Sequence, residues 1–158
     1  MTRYLGVDPG MSGALAIVET INSVPVLVAA IDMPTTGTGA KARVDATALE
    51  AWVAEHAPSI AYVERAQAFP GQGASSGFLY GRCVGAVETV ITLRRVPLIL
   101  VEAAAWKRKL HLPGGDKEQA RQRALQLFPQ QHSLLAKKKH HGRAEAALIV
   151  IANLEGSR

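Results

Sequence analysis

Apolar and polar residues alternate from the start of the chain. Leu5 and Val7 alternate with Tyr4, Gly6 and Asp8, the period of a strand with one face buried. Pro9 cannot donate to a ladder, and Gly10 and Gly13 permit turn geometry, so this strand ends near Asp8. The apolar run 13–18 follows at once, as an antiparallel return strand does. Asn22-Ser23 is a turn signal, and residues 25–33 read as a third strand. Three strands with short connections predict an antiparallel meander. Residues 34–41 then read as a flexible linker. They resemble a phosphate loop only superficially, because Lys41 is followed by Ala42 rather than by Ser or Thr.

From Asp45 onward the period lengthens. Asp45 can cap a helix to about residue 56, with Leu49, Trp52 and Val53 at helical spacing. Residues 59–64 return to strand alternation, with Ile60, Tyr62 and Glu64 on one face and Glu64 last. Residues 69–77 form a Gly/Ser-rich loop. A long helix is predicted from about 76 to 94, its apolar stripe being Leu79, Cys83, Ala86, Val87, Val90 and Ile91, and a fifth strand over 96–101. A short helix over 103–110, a turn over 111–115 and a basic amphipathic helix over 116–128, stopped by Pro129, come next. Residues 142–154 are apolar nearly all round, the pattern of a buried helix. The expectation is a single α/β domain spanning residues 1–158. Its five-stranded mixed sheet, three antiparallel strands then two parallel, is flanked by helices.

Composition narrows this picture. With 158 residues and 48% hydrophobic content, the chain is long enough to bury one sizeable core. No apolar run approaches the ~20 residues that a membrane span needs, and the N-terminus carries no signal-peptide pattern, so no membrane partner is expected. Cys83 is the only cysteine, which excludes an internal disulfide and a cysteine-based zinc site and suits a reducing cytoplasm. The formal net charge is +5, and most of the basic residues lie beyond Arg94. That distribution favours a polyanionic partner for the second half of the chain.

The candidate chemistry rests on three acids. Asp8 and Glu64 each end a strand, and Glu145 sits in the buried last helix. If the first and fourth strands are parallel neighbours, Asp8 and Glu64 lie side by side at one sheet edge. Crowded carboxylates raise each other's pKa, and hard divalent cations such as Mg²⁺ or Mn²⁺ relieve the repulsion. Two such ions serve phosphodiester hydrolysis. Glu145 could instead pair with Arg143 or with a lysine of the preceding run. His141, four residues before Glu145, shares its helix face and is a candidate metal ligand. His140 and His141 could equally extend the basic patch of Lys137, Lys138 and Lys139.

Binding candidates surround these acids. In the glycine-rich loop, small residues including Ser75 and Ser76 let the backbone approach a ligand closely, and Phe69 could stack on an unpaired base. Gln72 belongs to the same loop, and Arg82 follows on the next helix. Lys107, Lys109, Lys117, Arg121, Lys138, Lys139 and Arg143 are candidates for phosphate contacts. Gly77, Gly81 and Gly85 recur every four residues on the long helix. The strip fits either helix-on-sheet packing within the chain or a self-association face.

These motifs, in order, resemble the RuvC-like Holliday junction resolvases, most closely the compact forms of phages and prophages. The resemblance is carried by Gly6-Val7-Asp8-Pro9-Gly10, Val63-Glu64, Pro70-Gly71-Gln72-Gly73-Ala74-Ser75-Ser76, Tyr80-Gly81-Arg82, Trp106-Lys107, Asp116-Lys117, Leu127-Phe128-Pro129 and the block from Lys138 to Ala146. It implies a ribonuclease H-like fold and a homodimer that binds four-way DNA junctions. It also implies nicking of paired strands by activated water, with two Mg²⁺ or Mn²⁺ ions per site. Asp8, Glu64 and Glu145 match the family's metal-binding acids. Lys107 and Lys117 fall where members carry basic residues near the scissile phosphate, Lys117 as a catalytic candidate. Gly77, Gly81 and Gly85 lie on the helix where relatives dimerise. A bacterial or phage-infected host cytoplasm follows from the same resemblance. One departure is His140, where compact members usually carry an aspartate. It leaves a second reading, a catalytically weakened junction-binding protein of the same fold.

Overall fold

The computed structural model describes residues 2–68, 70–112, 114 and 116–154. Strands β1 (Thr2–Asp8), β2 (Ala14–Ile21) and β3 (Val24–Asp32) form the expected meander. Two short strands follow, β4 (Thr35–Thr36) and β5 (Arg43–Val44). Helix α1 (Ala46–His56) then leads to β6 (Ile60–Glu64), and α2 (Ala74–Leu93) leads to β7 (Leu98–Val101). The chain ends in helices α3 (Ala103–Lys109), α4 (Lys117–Leu127), α5 (His132–Leu135) and α6 (His141–Leu154). The main sheet has the order β3-β2-β1-β6-β7. β1 pairs antiparallel with β2 and parallel with β6, and β6 pairs parallel with β7. The mixed five-stranded sheet is therefore present as the alternation predicted. β1 lies at its centre, where the antiparallel and parallel halves meet.

Two apolar layers enclose this sheet. On one side Leu5, Val7, Ile17 and Val63 of the sheet pack against Leu49 and Val53 of α1 and Cys83 and Val87 of α2. On the other, the buried stretch of α6 covers the sheet together with α3 and α4. A helix that is apolar all round is stable only when surrounded, and α6 touches β1, β2, β3, β6, α3, α4 and α5. Gly6 makes the closest approach: a Cβ there would collide with the Ala146 carbonyl of α6. Its small size sets the depth at which α6 lies on β1, and so the height of Glu145 over the sheet.

Helix ends follow local chemistry. The Asp45 carboxylate accepts from Ala48 N at 3.0 Å and starts α1. Asp116 accepts from Glu118 N and Gln119 N and starts α4. Three expectations change. Residues 34–41 are not a plain linker, because β4 lies within them and pairs with β5 just beyond as a two-stranded antiparallel sheet. α2 begins at Ala74, so Ser75, Ser76 and Gly77 form its first turn rather than a loop. α5 is a short helix that periodicity did not indicate. No helix among the described residues is long and apolar enough to cross a membrane.

Candidate active site

The parallel register Val7↔Val63 places the last residues of β1 and β6 side by side. Asp8 and Glu64 therefore leave the sheet at the same edge, as the strand-end reading required. The β1–β2 turn is closed by Gly13 N donating to Gly10 O at 3.1 Å. A Cβ at Gly13 would strike the Asp8 carbonyl, and Gly10 has φ +129° with the Tyr80 ring packed against it. Both glycines are needed for the turn to fold tightly beside Asp8. Glu145, one turn into α6, completes the group from above.

The electrostatics show that these acids sense one another. Asp8 is pushed up to about 8, chiefly by burial and then by the negative charges of Glu145 and Glu64; Lys117 and Lys107 pull the other way. Burial also raises Glu145, against the pull of Lys107 and with a contribution from Glu64. The Tyr80 hydroxyl is pushed up to about 12 by burial and by Asp8 and Glu64, so it stays protonated at the rim. Lys107 Nζ lies 3.9 Å from Glu145 Oε1. Lys117 Nζ lies 3.5 Å from His141 Nε2. The ion-pair partner of Glu145 is thus Lys107 of α3, not Arg143 or the preceding lysine run.

As the side chains stand, no three His, Cys, Asp or Glu residues among those described enclose a common ion-sized centre. Glu64 Oε2 accepts from the Trp106 indole N–H at 2.7 Å, and Glu145 leans to Lys107. The chemistry of the set nevertheless suits a hard divalent ion. Three carboxylates supply oxygen donors only, and a half-buried Asp8 that holds a proton near neutrality is a group awaiting positive charge. His141, beside Lys117 and within electrostatic reach of Glu145, is the nitrogen donor closest in chemistry to the set.

The remaining candidates divide. Lys107 and Lys117 reach the acids. Lys138 and Lys139 are exposed on the turn that enters α6. Arg82 is exposed on α2 and lies over the Phe78 ring at 5.7 Å, while Gln72, Ser75 and Ser76 stand at the start of that helix. Phe69 lies outside the described residues. Arg121 departs from expectation. It is buried, and its guanidinium donates to Leu135 O, Ala136 O and both carboxylate oxygens of Glu118. It therefore straps α4 to α5 instead of meeting phosphates. Arg143 donates to Asp32 Oδ1 at 2.7 Å, and Lys109 to the Ala152 carbonyl at 3.0 Å near the far end of α6. Both serve α6 first.

His140 does not extend the basic patch. It is only 5% exposed, accepts from Lys137 N at 3.4 Å and has Arg143, Asp32, Lys139 and Lys137 as its charged neighbours. Burial and then Arg143 hold its imidazole below the usual histidine range. Asp32, at the end of β3, keeps its charge through the Arg143 hydrogen bond although burial works against it. Gly81 and Gly85 are exposed, and a Cβ on either would meet nothing. They take no part in helix-on-sheet packing, which removes one of the two readings of the glycine strip. Sequence reasoning did not single out Asp32, and it quoted Tyr80 and Trp106 as motif residues without giving them a role. Each reaches its place by long-range packing that no local pattern records.

No protein-family model matches the chain, and a search of curated proteins finds no match. Solved structures do resemble it. Thermus thermophilus RuvC bound to a Holliday junction substrate superposes with a TM-score of 0.71 at 15% identity, covering 99% of this chain and 97% of that one. The yeast mitochondrial Holliday junction resolvase Ydc2 gives 0.61 at 14% identity, over 99% of this chain and 82% of that one. Fowlpox virus resolvase, solved with Holliday junction DNA, gives 0.57 at 14% identity, over 97% of this chain and 99% of that one. The chain has the ribonuclease H-like fold that RuvC and these other Holliday junction resolvases share, with Asp8, Glu64 and Glu145 gathered where its two central parallel strands end.

Proposed function

We propose that the protein is a divalent-metal-dependent endodeoxyribonuclease that binds four-way DNA junctions as a homodimer and nicks paired strands. The observation that carries this reading is the meeting of Asp8, Glu64 and Glu145 under Lys107 and Lys117, in a fold shared with solved junction resolvases. Asp8, Glu64 and Glu145, with His141, would hold Mg²⁺ or Mn²⁺, two ions per site. Bound there, the ions would supply Lewis acidity. The chain's own groups do the rest. Lys107 and Lys117 bring positive charge to the edge where a scissile phosphate must lie. The exposed Lys138, Lys139 and Arg82 hold duplex arms through their backbones. Water attacks phosphorus in line, the bond to the leaving oxygen breaks, and that oxygen takes up a proton.

The binding-only alternative drew its motive from His140. That residue is buried beside Asp32 and Arg143 and takes no place in the acid group, so the alternative loses its ground. The deciding experiment offers a labelled four-way junction and a matched linear duplex in Mg²⁺ and, separately, in Mn²⁺. Paired nicks near the branch point of the junction alone are expected. Tight junction binding without nicks in either metal would return the protein to the binding-only class.

A further inference from the structure

Resting on that nuclease reading, we infer that Trp106 is a positioning residue of the metal site: its indole N–H fixes one oxygen of Glu64 and its ring carries Lys107. Trp106 is 1% exposed, at the core face of α3. A buried indole N–H needs an acceptor. Here the acceptor is not a backbone carbonyl but Glu64 Oε2, at 2.7 Å. A short bond from a rigid, fully packed donor leaves the carboxylate little freedom to rotate. Oε2 is engaged, and Oε1 has no hydrogen bond among the described residues. The same ring lies 5.2 Å from Lys107 Nζ, within cation–π range. One side chain therefore indexes both the acid from β6 and the lysine that faces Glu145.

Two features of α3 keep Trp106 in register. Its main-chain N–H bonds to Glu102 O at 3.2 Å, and the Glu102 carboxylate takes Arg65 at 2.7 Å and Gln67 at 2.9 Å from the chain just beyond Glu64. The exit of β6 and the start of α3 are thus tied together beside the Trp106–Glu64 bond. Hydrogen-bonded partners behind a metal-ligating carboxylate typically carry 10–100-fold in metal affinity or activity. Trp106 has the geometry of such a partner.

The test measures Mn²⁺ binding directly, by electron paramagnetic resonance of the free ion, beside nicking, junction affinity in EDTA and melting temperature. Trp106→Phe keeps an aromatic ring and loses the donor. A second variant replaces Trp106 with β-(3-benzothienyl)alanine, an isostere with sulfur in place of the N–H, so that packing is preserved if the phenylalanine disturbs it. Both variants should bind Mn²⁺ roughly 10–100-fold more weakly, with nicking reduced in step and junction affinity unchanged. Wild-type Mn²⁺ affinity in the benzothienyl variant would overturn the inference, because the role would then be packing alone. A wild-type protein that neither binds Mn²⁺ nor nicks would overturn the nuclease reading, and this inference with it.

Discussion

Asp8 shows what the site costs the fold. In the folded chain it holds its proton to about pH 8, against an ordinary value near 3.8. The unfolded chain sheds that proton first, so folding stability falls as pH rises between those two values and levels off above the higher one. Asparagine has no proton to lose. Asp8→Asn should therefore melt higher than the parent in EDTA, by roughly 5 °C at pH 8, and the gain should shrink towards pH 4. Added Mg²⁺ or Mn²⁺ should close the gap by stabilising only the parent. Nicking should be abolished and junction binding retained. Calorimetry across pH, with and without metal, checks the first part. A variant no more stable than the parent at pH 8 would mean that neither burial nor the neighbouring acids hold the proton on Asp8.

Elements differ in how much of themselves they show in sequence. Alternation in β1 and β6, the apolar runs of β2 and β3, and the unbroken apolar run of α6 follow from burial between or within the layers, so they were readable without tertiary knowledge. The strand ends placed Asp8 and Glu64 for the same reason. The start of α2 was hidden because Gly73 offers no side-chain cap and the first turn is built of Ala, Ser and Gly. The β4–β5 pair and α5 are too short to display a period. Arg121 was misread on similar grounds. Lys117 and Arg121 share a face of α4, and nothing local shows that α5 folds over only the second of them. Arg121→Leu should accordingly lower the melting temperature by roughly 5 °C, since two carbonyls lose their donor. It should leave the salt dependence of junction binding unchanged. Lys138→Ala with Lys139→Ala should do the opposite, flattening the log–log salt slope by about 0.9 for each phosphate no longer neutralised while the melting temperature holds. A lower salt slope in Arg121→Leu would restore that residue to the DNA surface.

For the whole molecule, the opposite wall from α6 raises the question of a second copy. The exposed face of α2 carries Phe78 at 67% and Leu93 at 75% exposure. Gly81 and Gly85 lie between them in sequence on that face, with open space above. Apolar groups of this size left in water at both ends of a small-residue strip are the makings of a helix-to-helix contact between protomers. A four-way junction presents two equivalent strands, and one active site per chain can cut only one of them at a time. Pairing two chains through α2 would supply the second site, and would make paired nicking a property of the dimer rather than of the fold. Gly85→Arg tests this without disturbing the monomer, because a side chain there meets no neighbour and the helix loses a glycine. The variant should keep its circular dichroism and melting profile, sediment as a monomer at concentrations where the parent is a dimer, and convert paired nicks into unpaired ones. If it still sediments as a dimer, the protomers meet on another surface; if the parent is itself monomeric on the junction, the two cuts are made by successive encounters.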